Sequence, residues 1–146
     1  MSDCRFQTSE TCSRARTLLV MRDHTKLRAF ELADALALQI YRRTTTFPRE
    51  EQFGLTSQLR RAAVSIASNI VEGCARSSTA DYIRFLDMAY GSACELQYQL
   101  SLAKRLEYLS KEPAAELDQV AKETCMVLNG LIRSLRDRKP NPNPAA

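Results

Sequence analysis

The sequence predicts an all-α fold, an antiparallel up-down-up-down four-helix bundle, on three observations. Apolar residues recur at steps of three and four in four separate stretches, the mark of helices that bury one face. Only four glycines and five prolines interrupt 146 residues, and good helix formers (Leu, Ala, Arg, Glu and Gln) fill the intervals. The connections between stretches are short, which sets consecutive helices antiparallel. No strand alternation and no internal repeat competes with this reading.

Helix 1 is expected over residues 30–43, with Phe30, Ala33, Ala37, Ile40 and Tyr41 on its apolar face. Arg42 and Arg43 end it where the helix dipole favours cations. The β-branched run Thr44-Thr45-Thr46 and then Phe47-Pro48 stop it. Pro48 is suited to open helix 2, expected over residues 49–75, with Glu50 and Glu51 in the first turn. The apolar residues of helix 2, from Ala62 through Leu59 and Ala63 to Val64, cover roughly 200° of the helical wheel, about twice the usual stripe. Its polar strip is narrow and holds Ser65, Ser68 and Asn69. A helix this apolar needs cover from a neighbouring subunit as well as from its own bundle.

Ser77-Ser78-Thr79 starts helix 3, expected over residues 79–108, with Ser78 or Thr79 as the cap and Asp81 near the dipole. Tyr82, Phe85, Leu86, Ala89, Ala93 and Leu96 form its main face, and Met88, Tyr98 and Leu102 project outward. Gly91 lies mid-helix, where a close helix approach or simple tolerance would accommodate it. Pro113 opens helix 4, expected over residues 113–138, on the stripe Leu117, Val120, Ala121, Val127, Leu128 and Leu131. Asn129-Gly130 reads as a turn in isolation, but the period passes through it without a phase change.

The length suits one domain, and at this size a core forms without disulfides or metal. The bundle occupies residues 24–139. Residues 1–23 are expected to be a disordered or misannotated extension, with Met21 an alternative start, and residues 140–146 a disordered Pro/Asn tail. The net charge is +4, but residues 1–29 contribute +3 of it, so a polyanion site needs local clustering. Five cysteines (Cys4, Cys12, Cys74, Cys94 and Cys125) make an odd count without a C-x-x-C pair, and His24 is the single histidine. Reduced thiols, a cytoplasmic setting and no metal are expected. No apolar run reaches the ~18 residues of a membrane span, and Leu18-Leu19-Val20-Met21 is too short for a signal-peptide core.

Catalytic constellations are sparse. Ser65 and Ser68 have no histidine or lysine at an activating spacing, and Glu72 with Arg76 reads as an i,i+4 surface pair. The absence of a Glu-x-x-His unit excludes a di-iron bundle, and no Gly-rich phosphate loop is present. No enzyme and no cofactor is expected.

The stretch Phe47-Pro48-Arg49-Glu50-Glu51-Gln52-Phe53-Gly54-Leu55-Thr56-Ser57-Gln58-Leu59-Arg60-Arg61-Ala62 is followed by Ser65-Ile66-Ala67-Ser68-Asn69-Ile70-Val71-Glu72-Gly73. With Asp81 to Leu86 and Ala89 to Leu96, it resembles the bacterial four-helix-bundle proteins encoded in 23S rRNA intervening sequences, also called S23 ribosomal proteins. The likeness spans about residues 24–137. It implies a homopentameric barrel with a central channel, with an interface on Leu59, Ala63, Val64, Ala67 and Val71. The outward Met88, Tyr98 and Leu102 would add to that interface or hold a protein partner. The family is similar to accessory proteins of diversity-generating retroelements, and on that likeness Arg42, Arg43, Arg60, Arg61 and Arg76 would contact RNA or DNA. The expected function is a non-enzymatic oligomeric scaffold that binds nucleic acid. The alternative is a protein–protein scaffold with no nucleic-acid role, and the resemblance brings no catalytic residue.

Overall fold

A computed structural model describes residues 22–138. They form four helices, α1 (Arg28–Arg43), α2 (Leu55–Cys74), α3 (Thr79–Arg105) and α4 (Lys111–Asp137), and no strand is found among the described residues. The expectations for residues 1–21 and 139–146, including Cys4 and Cys12, lie outside this range. Arg22, assigned from sequence to the extension, is held against the corner between α2 and α3. Its Nη1 donates to the Arg76 carbonyl at 3.0 Å, and its guanidinium lies 4.4 Å from the centre of the Tyr82 ring.

Helix α1 buries Ala29, Leu32, Ala33, Leu36 and Ile40. The threonine run does more than interrupt it. Thr44 Oγ1 donates to the Ile40 carbonyl at 2.7 Å, Thr45 to Arg42 at 2.8 Å and Thr46 to Arg43 at 3.2 Å. The Arg42 and Arg43 carbonyls are among the ones a helix end leaves without an intrahelical partner, and that of Ile40 accepts from both the N–H and the hydroxyl of Thr44. The chain then passes through a 3-10 turn, Thr44–Thr46, and buries Phe47 against Tyr108, ring centres 5.6 Å apart.

Helix α2 starts six residues later than its sequence suggests. Pro48 leads only into a 3-10 turn, Arg49–Glu51. The Glu51 carboxylate then folds forward to accept from the Leu55 N–H at 2.8 Å, which places its charge on the positive end of the dipole. Gly54 occupies the cap, and a Cβ there would collide with that carboxylate.

Ser78 caps α3 as expected, accepting from the Asp81 N–H at 3.1 Å. The helix closes at Arg105, three residues short of expectation, on a pair of reversed bonds. Tyr108 N–H donates to the Ala103 carbonyl and Glu107 N–H to that of Lys104, with Glu107 in the left-handed region at φ 60. This is the Schellman arrangement, in which the left-handed position usually belongs to glycine. Helix α4 holds Pro113 in its first turn, where a missing N–H is tolerated, and runs unbroken through Gly130.

Helix α1 packs on α2 and α4, α2 on α3, and α3 on α4. Leu36, Ile40, Leu59, Ile66, Ile70, Leu86, Leu96 and Leu128 are completely inaccessible in one continuous core. Each such side chain stabilises by roughly 1.5–3 kcal/mol. The ion pairs between helices, Arg28–Glu123 at 2.8 Å, Arg43–Glu116 at 3.2 Å and Arg136–Asp87 at 2.7 Å, are about half exposed. Such pairs contribute about 0–1 kcal/mol each, so apolar burial holds the fold. No helix among the described residues is long and apolar enough to cross a membrane.

Candidate nucleic-acid interface

The end of α1 and the start of α2 bring four of the five predicted arginines to one end of the fold. Arg60, part-buried on α2, is fixed to α1 twice. Its Nε donates to Thr44 Oγ1 at 2.9 Å, and its guanidinium lies 4.9 Å from the centre of the Tyr41 ring. Thr44 therefore links the last carbonyls of α1 to a side chain of α2. Arg43 is neutralised by Glu116. Arg42 and Arg61 are exposed, and neither has an acidic partner within 4 Å among the described residues.

Beside Arg60 lies a depression of about 380 Å³, lined by Tyr41, Phe53, Thr56, Ser57, Arg60 and Arg61 together with Gln52. Gln52, Thr56 and Arg60 also border an adjoining hollow of about 330 Å³ that reaches Thr45, Pro48 and Arg49. Arg42 and Arg43 edge a smaller one, about 200 Å³, with Tyr108, Ser110 and Pro113. Phe53 is 90% exposed and Tyr41 47%. Thr56 is buried, and its hydroxyl has no hydrogen-bond partner among the described residues.

The fifth arginine is elsewhere. Arg76 lies sixteen residues beyond Arg60, about 24 Å at the helical rise. Its guanidinium is 4.6 Å from the centre of the Phe85 ring, which Arg84 approaches at 5.0 Å. With Arg22 over Tyr82 this makes a second basic corner, in which Arg84 is paired to Asp81 at 3.6 Å. Burial, reinforced by the neighbouring Cys74, pushes the Tyr82 hydroxyl up to about 12, against the pull of Arg22.

The residues predicted for a subunit interface divide. Leu59 and Ala63 are completely enclosed within the protomer and leave no surface for a second copy; the wide apolar arc of α2 is covered that far by its own fold. Ala67 and Leu102 are part-buried against the core. Val64, Val71, Met88 and Tyr98 remain open, at 42, 37, 40 and 62%. Leu38 and Met126 are also exposed, and their sequence positions gave no reason to single them out.

The serine considered as a nucleophile is occupied otherwise. Ser65 Oγ lies 2.9 Å from Ser92 Oγ and accepts from Asn69 Nδ2 at 3.1 Å, which ties α2 to α3. Cys74, Cys94 and Cys125 are free thiols. Burial pushes Cys74 up, and burial with Cys94 alongside takes Cys125 up to about 12; such thiols are poor nucleophiles. No cluster of His, Cys, Asp or Glu among the described residues has metal-binding form.

Sequence reasoning named the arginines of this end but missed Tyr41, Phe53 and Thr56 as site residues. Tyr41 was placed on an apolar face, and Phe53 and Thr56 were read inside a helix. The Phe53-Gly54 step after Gln52 was the available signal, since glycine there marks a chain not yet helical.

The sequence model of the family described as 23S rRNA-intervening sequence protein matches residues 25–130. Among solved structures the chain is similar to a protein of unknown function from the S23 ribosomal protein family of Bacteroides thetaiotaomicron VPI-5482. The two share 27% identity over 72% of this chain and 98% of that one, with a TM-score of 0.66. No curated protein matches the chain. The chain belongs to the 23S rRNA-intervening sequence protein family.

Proposed function

We propose that this protein is a non-enzymatic scaffold that self-assembles and binds RNA or DNA at the end where α1 meets α2. The observation that carries the reading is the grouping of exposed aromatic rings, Phe53 and Tyr41, around one depression with Arg61, while Arg42 lies exposed at the same end; neither arginine has an acidic partner among the described residues. Arginines of this kind neutralise phosphates, and exposed rings stack on bases without regard to sequence. The Arg76 corner is secondary, because Arg84 is paired and Tyr82 and Phe85 are buried beneath the cations.

The architecture we propose is an antiparallel bundle assembled as a homopentamer. Arg28 meets Glu123 and Arg43 meets Glu116, so residue numbers rise along α1 as they fall along α4. The open valines of α2, with Met88 and Tyr98 of α3, supply apolar surface for the contact between copies. That surface also favours the second reading, a scaffold for a protein partner alone.

Titration of labelled single-stranded RNA at 50 and 200 mM salt separates the two. Binding should weaken steeply with salt, and Arg61→Gln should reduce the slope of log K against log salt by about one. Arg43→Gln should change it less, because Glu116 already neutralises that charge. Absence of binding at 50 mM salt, or affinity indifferent to salt, rejects the nucleic-acid reading.

A further inference from the structure

We infer that the depression at the start of α2 is a preformed site for one nucleotide unit of single-stranded nucleic acid. The phosphate would sit on the helix N-terminus and Arg61, and the base on Phe53. This deepens the proposed function and rests on it.

A helix leaves its first N–H groups without internal partners. In α2, Glu51 takes that of Leu55, and Gln58 bonds back to the Gly54 carbonyl. The N–H groups of Thr56 and Ser57 have no partner among the described residues. Both residues line the 380 Å³ depression with Arg60 and Arg61. Two free backbone donors on the positive end of a twenty-residue helix, flanked by two guanidinium groups, have the chemistry of a phosphate site.

Thr56 points independently to a ligand. It is 6% exposed, and its hydroxyl has no hydrogen-bond partner among the described residues. A buried unsatisfied polar group of this kind costs about 1–3 kcal/mol. Most of them have a partner, and this one, enclosed beneath the wall of the depression, would gain a partner by rotating outward about χ1 when an acceptor enters. Glu51 is the opposing charge. Its two oxygens are already engaged, by the Leu55 N–H and by the Tyr108 hydroxyl at 3.3 Å, and it does not line the depression.

Phe53 sets the ligand as a nucleotide and not a bare phosphate. It is 90% exposed on the rim, a position that apolar burial does not explain and that a stacked base would. The volume falls within the range of small-ligand sites. A duplex keeps its bases stacked on one another, so the strand must be single.

The test uses the full chain and calorimetric or NMR titration with uridine monophosphate, uridine, inorganic phosphate, a uridine decanucleotide and an RNA duplex. Uridine monophosphate should bind at least tenfold tighter than uridine. Phe53→Ala should weaken it at least fivefold while leaving inorganic phosphate within twofold. Thr56→Val, close to isosteric, should weaken both at least fivefold with no loss of thermal stability. Phe53 is too exposed for its truncation to unfold the protein, so that variant remains informative if Thr56→Val does not fold. If uridine monophosphate binds no tighter than uridine, or both variants stay within twofold, or shifts centre on Arg22 and Arg76, the site is refuted. Salt-dependent binding of the decanucleotide alongside failure of the mononucleotide refutes this site and leaves the proposed function standing. Binding of the mononucleotide alone does the reverse, and makes the site one for free nucleotides.

Discussion

Two glycines in adjacent helices should respond to the same substitution with opposite signs. Gly73 stands at the close approach of α2 to α3. A Cβ built on it would lie 3.0 Å from Phe85 Cβ, 3.2 Å from Tyr82 Cδ2 and 3.4 Å from the Tyr82 carbonyl oxygen. Phe85 Cβ and the carbonyl belong to, or hang directly from, the α3 backbone, so they move only if the helix moves. Gly91 has nothing among the described residues within 4 Å of the same position. The close approach that a mid-helix glycine suggests is therefore absent at Gly91 among the described residues and present at Gly73.

Alanine gains about 1 kcal/mol over glycine inside a helix, and less at Gly73, the penultimate residue of α2. Overpacking costs roughly 1–3 kcal/mol and outweighs that smaller gain. Gly73→Ala should destabilise by about 1–2 kcal/mol, and Gly91→Ala should stabilise by about 1. At around 4 °C per kcal/mol for a domain of this size, their melting midpoints should differ by about 8–12 °C. Thermal denaturation followed by circular dichroism, at two protein concentrations to separate folding from assembly, measures this. Equal shifts of the same sign would show that the helices slide apart freely at Gly73, and would refute the reasoning. If Gly91→Ala stabilises at low concentration and destabilises at high concentration, a neighbouring subunit supplies the contact that the protomer lacks.

Glu107 occupies a left-handed position at a cost of roughly 1 kcal/mol, so Glu107→Gly should raise the midpoint by about 4 °C, and an unchanged midpoint would count against the strain. At alkaline pH the sign follows from Tyr82 and Cys125, both pushed up to about 12 from 10.0 and 9.0. The folded state holds these protons more tightly than the unfolded chain, so their stabilisation is complete below about pH 9 and is lost as pH rises to about 12. The midpoint should fall across that window, and Tyr82→Phe should remove the part above pH 10; a flat profile contradicts both shifts. Replacing Val64 and Val71 together by Gln, which adds no charge beside Arg60 and Arg61, should lower the mass seen by native mass spectrometry without reducing helicity, and an unchanged mass would place the contact elsewhere.

How much of this could be read from the chain depends on the range of the interaction. Helices α1, α3 and α4 follow from the spacing of residues such as Ala33, Ala37 and Ile40, because burial of one face imposes that spacing directly. The start of α2 was misplaced because Pro48, Glu50 and Glu51 have the composition of a first helical turn, while Glu51 in fact reaches past Gly54 to Leu55. The arginine cluster was legible as composition. Its division was not: Arg76 is separated from Arg60 by the length of α2, and Arg43 is neutralised by Glu116 from a helix seventy-three residues away. Leu59 and Ala63 were assigned outward because a wheel measures the width of an apolar arc and not what covers it; two neighbouring helices cover most of this one.

The two halves of the proposed function constrain each other. One protomer offers few unneutralised cations at the α1–α2 end, chiefly Arg42, Arg60 and Arg61. With about three phosphate contacts to a single strand, affinity falls roughly twentyfold between 50 and 200 mM salt, and single sites of this size bind weakly at physiological ionic strength. A closed ring repeats the site in every copy, and linked sites gain effective concentration without any new contact. The strip that would build the ring, Val64 and Val71, lies on the same helix as Arg60 and Arg61 and contains none of the cations. The Val64/Val71 variant should therefore lose RNA affinity together with assembly, although every arginine and Phe53 remain. If it dissociates and still binds long RNA as tightly as the intact protein, assembly and nucleic-acid binding are independent, and the near-neutral protomer must recognise its ligand through the single cleft alone.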